Sequence, residues 1–220
     1  MDICSALYGH PEINTAGKSV LDMGCGHTSI FPYLYHCFKI KNYSGVDNKP
    51  INDLFGDPDN NPIYQPGFER IINMQTCYQN KEENLTDFYS LYHSTSKKFI
   101  EPNKILSKVE FSKCFEYYPF GARSFLRNNK QVFDFIIISN FLHLFSRGYA
   151  KKLYNSFRNI IAYNGFIYIK VANDQHTRRN GTKVKWGLTQ NELQLFVGPI
   201  QNNPVINNSG SSISILFQVN

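Results

Sequence analysis

Two acidic side chains and two glycines stand at spacings that suit the binding of a single ligand. The segment Val20-Leu21-Asp22-Met23-Gly24-Cys25-Gly26-His27 sets an acid two residues before a Gly-x-Gly. Glycines clear side chains from a tight turn and let a ligand approach the backbone. The N–H groups at the start of a following helix can receive a carboxylate, and Asp22 beside them suits an ammonium. Asp47 ends a second apolar run, where a carboxylate can accept hydrogen bonds from both hydroxyls of a ribose. One ligand carrying an amino-acid group and a ribose would satisfy the whole set.

Other residues bear on chemistry less directly. His143, in Asn140-Phe141-Leu142-His143-Leu144-Phe145, follows a strong strand signal and is a candidate general base, since a neutral imidazole can accept a proton. Lining the pocket without proton transfer is the competing role. His27 lies in the glycine turn and is expected to shape it. Downstream, His176-Thr177-Arg178-Arg179-Asn180-Gly181-Thr182-Lys183-Val184-Lys185-Trp186 gathers cations and an indole. Arg178, Arg179 and Trp186 are expected to contact an anionic acceptor, with a solvated loop as the alternative. Tyr118, in Phe115-Glu116-Tyr117-Tyr118-Pro119-Phe120, is a further candidate acceptor contact among aromatics that suit a core or a pocket wall.

These residues need a sheet to position them. Ser19–Met23 and Tyr43–Val46 read as strands, with helical spacing between them through Ile30, Phe31, Leu34, Tyr35 and Phe38. Val109–Ser112 reads as a short strand. Phe133–Ser139 is nearly all apolar, as a strand covered on both faces should be. Ala150–Ile161 reads as a helix closed by an αL cap at Asn164-Gly165, and Phe166–Val171 as the next strand. Thr189 with Glu192 three residues on forms a capping box for a helix over Thr189–Val197. Pro204–Ile206 and Ser212–Val219 flank Asn207-Asn208-Ser209-Gly210 as a hairpin. The pattern predicts a three-layer α/β domain over residues 1–220, its sheet mostly parallel with a C-terminal antiparallel hairpin strand. About 48–107 is longer than a plain crossover and reads as an insertion holding the usual helix, with candidates at Phe68–Tyr78 and Glu83–Tyr92. Its Pro, Asn and Asp content suggests a partly mobile surface element.

Composition narrows the field. A hydrophobic fraction of 42% and an aromatic fraction of 15% over 220 residues exclude a disordered chain. No apolar run is long enough to cross a bilayer, and the N-terminus lacks the basic leader of a secretory signal. Five scattered cysteines without a Cys-x-x-Cys pair argue against a disulfide framework or zinc site, so no metal is expected and a cytoplasmic location is. A net charge of +6 permits an anionic partner without demanding one.

Taken together, the motifs resemble those of the class I S-adenosylmethionine-dependent methyltransferases. Asp22-x-Gly24-x-Gly26 is similar to their first motif and Gly45-Val46-Asp47 to their second. Phe133–Asn140 resembles their fourth-strand motif, and Asn164-Gly165-Phe166-Ile167 the start of their fifth strand. A nicotinamide-dinucleotide fold would put its third glycine at Ser29 and leave Asp22 without a role.

The resemblance covers most of the chain outside 48–107. It implies a Rossmann-like methyltransferase fold with S-adenosyl-L-methionine as cofactor. Asp22, Gly24, Cys25, Gly26, Asp47, Asn48, Cys114, Phe115, Ser139 and Asn140 would line the cofactor site. The chain departs from the family at Thr28, where a third glycine is common. Aligning Tyr118-Pro119-Phe120 with the family's Leu-Pro-Phe puts Cys114 where an acid often contacts adenine.

No Asn/Asp-Pro-Pro-Tyr/Phe signature follows the fourth strand, and no Pro-Cys dipeptide stands there. A small-molecule acceptor is therefore expected. A nucleic-acid methyltransferase and a catalytically silent S-adenosylmethionine-binding module are the alternatives.

Overall fold

The computed structural model describes residues 3–26, 30–36, 38–48, 113–173, 186–200 and 202–219. Seven strands form one sheet: β1 Ser19–Met23, β2 Asn42–Val46, β3 Phe115–Tyr118, β4 Phe133–Ser139, β5 Ile161–Ala172, β6 Val205–Asn208 and β7 Ser212–Gln218. Their order is β3-β2-β1-β4-β5-β7-β6. β1 to β5 pair in parallel, and β7 runs antiparallel to both β5 and β6. Strand order therefore reverses between β1 and β4, which is where open α/β sheets bind ligands beyond the carboxyl ends of their strands.

Alternation along the strands divides the core in two. Val20, Tyr43, Phe135, Ile137 and Tyr168 pack with Ile3, Ala6 and Leu7 of α1 (Ile3–Gly9) and with Phe31 and Leu34 of α2 (Phe31–His36). On the opposite face Leu21, Met23, Ile136, Ile138, Ile167 and Ile169 meet α3 (Ala122–Asn128), α4 (Arg147–Arg158) and α5 (Gln190–Val197). This is the expected three-layer arrangement. Among the described residues no helix is long and apolar enough to cross a membrane.

Several elements differ from the sequence reading. Val109–Ser112 lies outside the described residues, as do 49–108. Among the described residues the third strand is Phe115–Tyr118, three aromatic residues and Glu116, which pairs with β2 from Tyr43 to Val46. The helix after β4 starts earlier than expected, at Arg147, and ends at Arg158, because Ile161 is drawn into pairing with Phe133. Asn164 does adopt a left-handed conformation (φ 58°), but inside β5 rather than as a helix cap. There the register slips: Phe133 faces Ile161 while Phe135 faces Phe166. The extra residues bulge out.

Gly165 follows in the tightest part of the bulge. A Cβ there would sit 2.9 Å from the carbonyl oxygens of both Ala162 and Asp134. Further along, the capping box forms as read: Thr189 Oγ1 accepts from the Glu192 N–H, and the Glu192 carboxylate accepts from the Thr189 N–H at 3.0 Å.

Two substitutions should rank accordingly in urea titrations. Thr189→Ala, which removes the cap, should cost about 1 kcal/mol. Gly165→Ala, which presses a methyl onto fixed backbone oxygens, should cost more, up to about 3 kcal/mol. Equal or reversed losses would show that the bulge opens without strain.

Candidate functional site

At the carboxyl end of β1 the chain turns through Gly24 (φ 74°) and Gly26 (φ 54°), a conformation that favours glycine. The turn is tied to the neighbouring strand, since the Gly24 and Cys25 N–H groups both donate to the Val46 carbonyl, at 2.7 and 3.2 Å. The Gly26 N–H then donates to Asp47 Oδ2 at 3.0 Å. The two motifs read separately in sequence are thus one hydrogen-bonded unit.

The two glycines have different reasons to be glycine. A Cβ on Gly24 would lie 2.5 Å from the Phe141 ring, whereas one on Gly26 would meet no described residue within 4 Å. Phe141, from the loop after β4, fills the space over Gly24. Among the described residues nothing stands over Gly26 in the same way.

Asp22 is 5% exposed. Tyr43, on β2, donates its hydroxyl to Asp22 Oδ2 at 2.5 Å. Burial raises the Asp22 carboxyl from its ordinary range to about 7; the Tyr43 hydrogen bond works against that rise and the Asp47 charge adds to it. Cys25 is half-buried, and burial together with the Asp22 and Asp47 charges pushes its thiol upward, which keeps it neutral. Two carboxyl groups with a buried floor and a positive-φ glycine between them form a cradle suited to a cationic group and a hydroxylated neighbour.

The other expected site residues divide. Asn48 is exposed just past Asp47. Ser139 ends β4, and Asn140 turns away from it with φ 56°, its N–H donating to the Lys170 carbonyl at 2.8 Å. All three stand on the same edge as the glycine turn.

Cys114 and Phe115 do not. Cys114 immediately precedes β3 and Phe115 is its first residue, level with Tyr43 near the amino end of β2, and both are buried in the cluster that holds Phe31, Leu34 and Tyr43. That position, at the amino end of β3, counts against the adenine-side role drawn from the Leu-Pro-Phe alignment.

Tyr118 has its backbone on the ligand edge, but its hydroxyl turns back along β3 to Glu116 at 2.7 Å and its ring packs edge-on against Phe125. That placement counts against its reading as an acceptor contact. Trp186 is also committed internally: its indole N–H donates to the Phe145 carbonyl at 2.7 Å and its ring lies 5.9 Å from that of Phe196. Arg178, Arg179 and His27 lie outside the described residues.

His143 is fully buried, and its Nδ1 accepts from the Ala172 N–H at 3.2 Å. With Nδ1 taken by a backbone donor, the imidazole joins the loop after β4 to the end of β5. This placement counts against a base that must reach an acceptor. Sequence reasoning missed Tyr43 and Phe141. Tyr43 could have been found from period-two spacing, since Tyr43, Gly45 and Asp47 share one face of β2. Phe141 gave no signal, because its contact with Gly24 is a tertiary one. Among the described residues no group of three or more His, Cys, Asp or Glu could hold a metal ion.

The raised Asp22 carboxyl makes stability depend on pH. Between about 4 and about 7 the folded chain holds a proton that the unfolded chain has released. The contribution of this group to stability is therefore complete below the ordinary Asp range and is lost as pH rises through about 7. Asp22→Asn removes this dependence. In thermal melts the variant should gain on the wild type as pH rises from about 5 to about 8, whereas parallel Tm curves would mean that Asp22 ionises normally.

No family model matches the chain, and no curated protein matches it. Solved structures do. N-methyltransferase NodS from Bradyrhizobium japonicum WM9 aligns with a TM-score of 0.54 at 13% identity over 98% of this chain and 93% of its own. Magnesium protoporphyrin IX methyltransferase ChlM from Synechocystis PCC 6803, solved with bound S-adenosylmethionine, aligns with a TM-score of 0.52 at 9% identity over 99% of this chain and 78% of its own. TehB from Haemophilus influenzae gives 0.53 at 12% identity, over 98% and 62%. At such identities the likeness is one of fold, and together with the strand order and closing antiparallel hairpin it shows that the chain has the class I S-adenosylmethionine-dependent methyltransferase fold.

Proposed function

We propose that the chain binds S-adenosyl-L-methionine at the β1–β2 edge and transfers its methyl group to a small-molecule acceptor. The observation that carries this reading is the placement of Asp22 and Asp47 on either side of a positive-φ glycine turn, with the Gly26 N–H donating to Asp47. Asp22 suits the ammonium of the methionine end and Asp47 the ribose hydroxyls. A NodS structure of the same fold holds S-adenosyl-L-homocysteine, and the ChlM structure holds S-adenosylmethionine.

When bound, the cofactor supplies an electrophilic methyl group on a sulfonium. What the chain itself contributes is placement. Gly26 admits the ligand to the backbone, the acids fix its two ends, and the loop Ser139–Phe141 stands beside them. Methyl displacement by an existing nucleophile can proceed by positioning alone, so the burial of His143 does not count against activity. ChlM is named for a small molecule, magnesium protoporphyrin IX. That supports a small acceptor here, as does the lack of the amino-group and cytosine signatures in the sequence.

Calorimetric titration with S-adenosylmethionine, S-adenosylhomocysteine and NAD tests the cofactor. Both methionine nucleosides should bind and NAD should not, and Asp47→Ala should weaken binding by about 1–3 kcal/mol. Tight NAD binding without either nucleoside would overturn the assignment. Labelled S-adenosylmethionine offered to a metabolite extract and to total RNA tests the acceptor. Label in low-mass product is expected. Label in RNA would replace the small-molecule reading, and binding without any transfer would indicate a silent module.

A further inference from the structure

Tyr43 is a large aromatic in the middle of a strand, and a core role would account for it had it been phenylalanine. Its ring is stacked on Phe115 (centroids 5.5 Å apart, 13° between planes) and tilted against Phe31 at 5.4 Å. Neither contact uses the hydroxyl. That group is fully buried, which is costly unless it is bonded, and it is spent on Asp22.

The register explains how the two meet. Val20 stands opposite Tyr43, and Asp22 stands opposite Gly45. Asp22 and Tyr43 therefore share a face of the sheet, and the residue directly across from Asp22 brings no side chain. The tyrosine reaches along the sheet into that gap. Because its ring is held by Phe31 and Phe115, the direction of its O–H is fixed as well.

We propose that Tyr43 is a positioning residue of the cofactor site, whose hydroxyl holds the Asp22 carboxylate in one orientation to receive the ammonium of the bound cofactor. The proposal rests on the S-adenosylmethionine reading above and adds to it a residue outside the glycine and acid motifs.

The groups around Asp22 show why such a hold is needed. Tyr43 acts from β2, Asp47 from the loop after β2, and Cys25 from the turn of Asp22 itself. Burial and the Asp47 charge both favour a protonated Asp22, and the Cys25 thiol is neutral. Tyr43 is the donor in this set that favours the charged form. A carboxylate already bonded on Oδ2 turns its other oxygen to the ligand without a search over rotamers.

Tyr43→Phe keeps the ring and both of its stacking partners, so the fold should survive, which circular dichroism verifies. S-adenosylhomocysteine is titrated by calorimetry into the full-length wild type, Tyr43→Phe, Asp22→Asn and the double variant from about pH 6 to about pH 9. Tyr43→Phe should weaken binding about 10-fold or more near neutral pH. It should also move the midpoint of the pH dependence upward, and it should add nothing once Asp22 is Asn.

Tyr154→Phe removes another buried tyrosyl hydroxyl, bonded to the Val197 carbonyl at 3.0 Å, and should change neither affinity nor midpoint. In the wild type, a slowly exchanging downfield hydroxyl proton that shifts on addition of S-adenosylhomocysteine would report the same bond without substitution. If the wild type binds and Tyr43→Phe matches it in affinity and midpoint, or if that proton ignores the ligand, the role of Tyr43 is wrong and the cofactor reading stands. If the wild type does not bind, the cofactor reading fails and the role of Tyr43 falls with it.

Discussion

Everything proposed for this chain depends on a single carbonyl. Val46 O, at the end of β2, accepts the N–H groups of both Gly24 and Cys25. The β1–β2 ladder is thereby continued past the last residue of β1 and into the turn. Without that continuation the glycines would be an ordinary loop, free to adopt many conformations at the entropic cost that glycine carries. With it, the turn has one shape, and Asp47 lies where its carboxylate can accept from Gly26. The parallel pairing of two short strands thus sets the geometry of a site formed by residues beyond both.

That geometry works against the stability of the protein around it. A buried carboxyl beside a second carboxylate is unfavourable when ionised. The fold accepts this at one position and compensates nearby. Phe31, Tyr43 and Phe115 pack tightly beneath the turn, and β4 and β5 supply an apolar centre covered on both faces. At the amino edge the opposite policy applies: Asp134 accepts the backbone and side chain of Ser19, both at 2.8 Å, and pairs with Lys18 at 3.6 Å. The acid at the amino edge is satisfied by donors of the fold itself, while at the carboxyl edge burial raises the Asp22 carboxyl to about 7. A buried carboxyl perturbed in this way at the ligand-binding edge of a sheet is a usual mark of a binding site.

Much of this was legible in the residues. β1 and β4 carry period and composition strong enough to fix their bounds, and the capping box at Thr189 announces a helix start by a local hydrogen-bond pattern. Asp22, Gly24, Gly26 and Asp47 could be placed because turn chemistry and strand ends are local properties. What escaped depends on pairing between distant segments. Phe115–Tyr118 reads as a pocket wall until its pairing with β2 is known. Asn164-Gly165 has the chemistry of a helix cap, and only the slipped register of β4 against β5 makes it a bulge. Trp186 and Tyr118 look available to a ligand in one dimension, yet Phe145 and Glu116 occupy their polar atoms. His143 looks like a base until Ala172 occupies its Nδ1.

The order of the strands also governs how the folded chain behaves toward copies of itself. In the described sheet the two outermost strands, β3 and β6, are four residues each, whereas β5 runs to twelve. Short margins present few unsatisfied backbone groups to another molecule. The segment most able to recruit one, Phe-Asp-Phe-Ile-Ile-Ile-Ser, has a single charge and is shielded by a strand on either side. Colloidal behaviour is therefore a property of topology here. As long as the sheet holds, its stickiest sequence is inaccessible; once it opens, that same sequence is a seven-residue nucleus for intermolecular β-structure, and unfolding turns into precipitation.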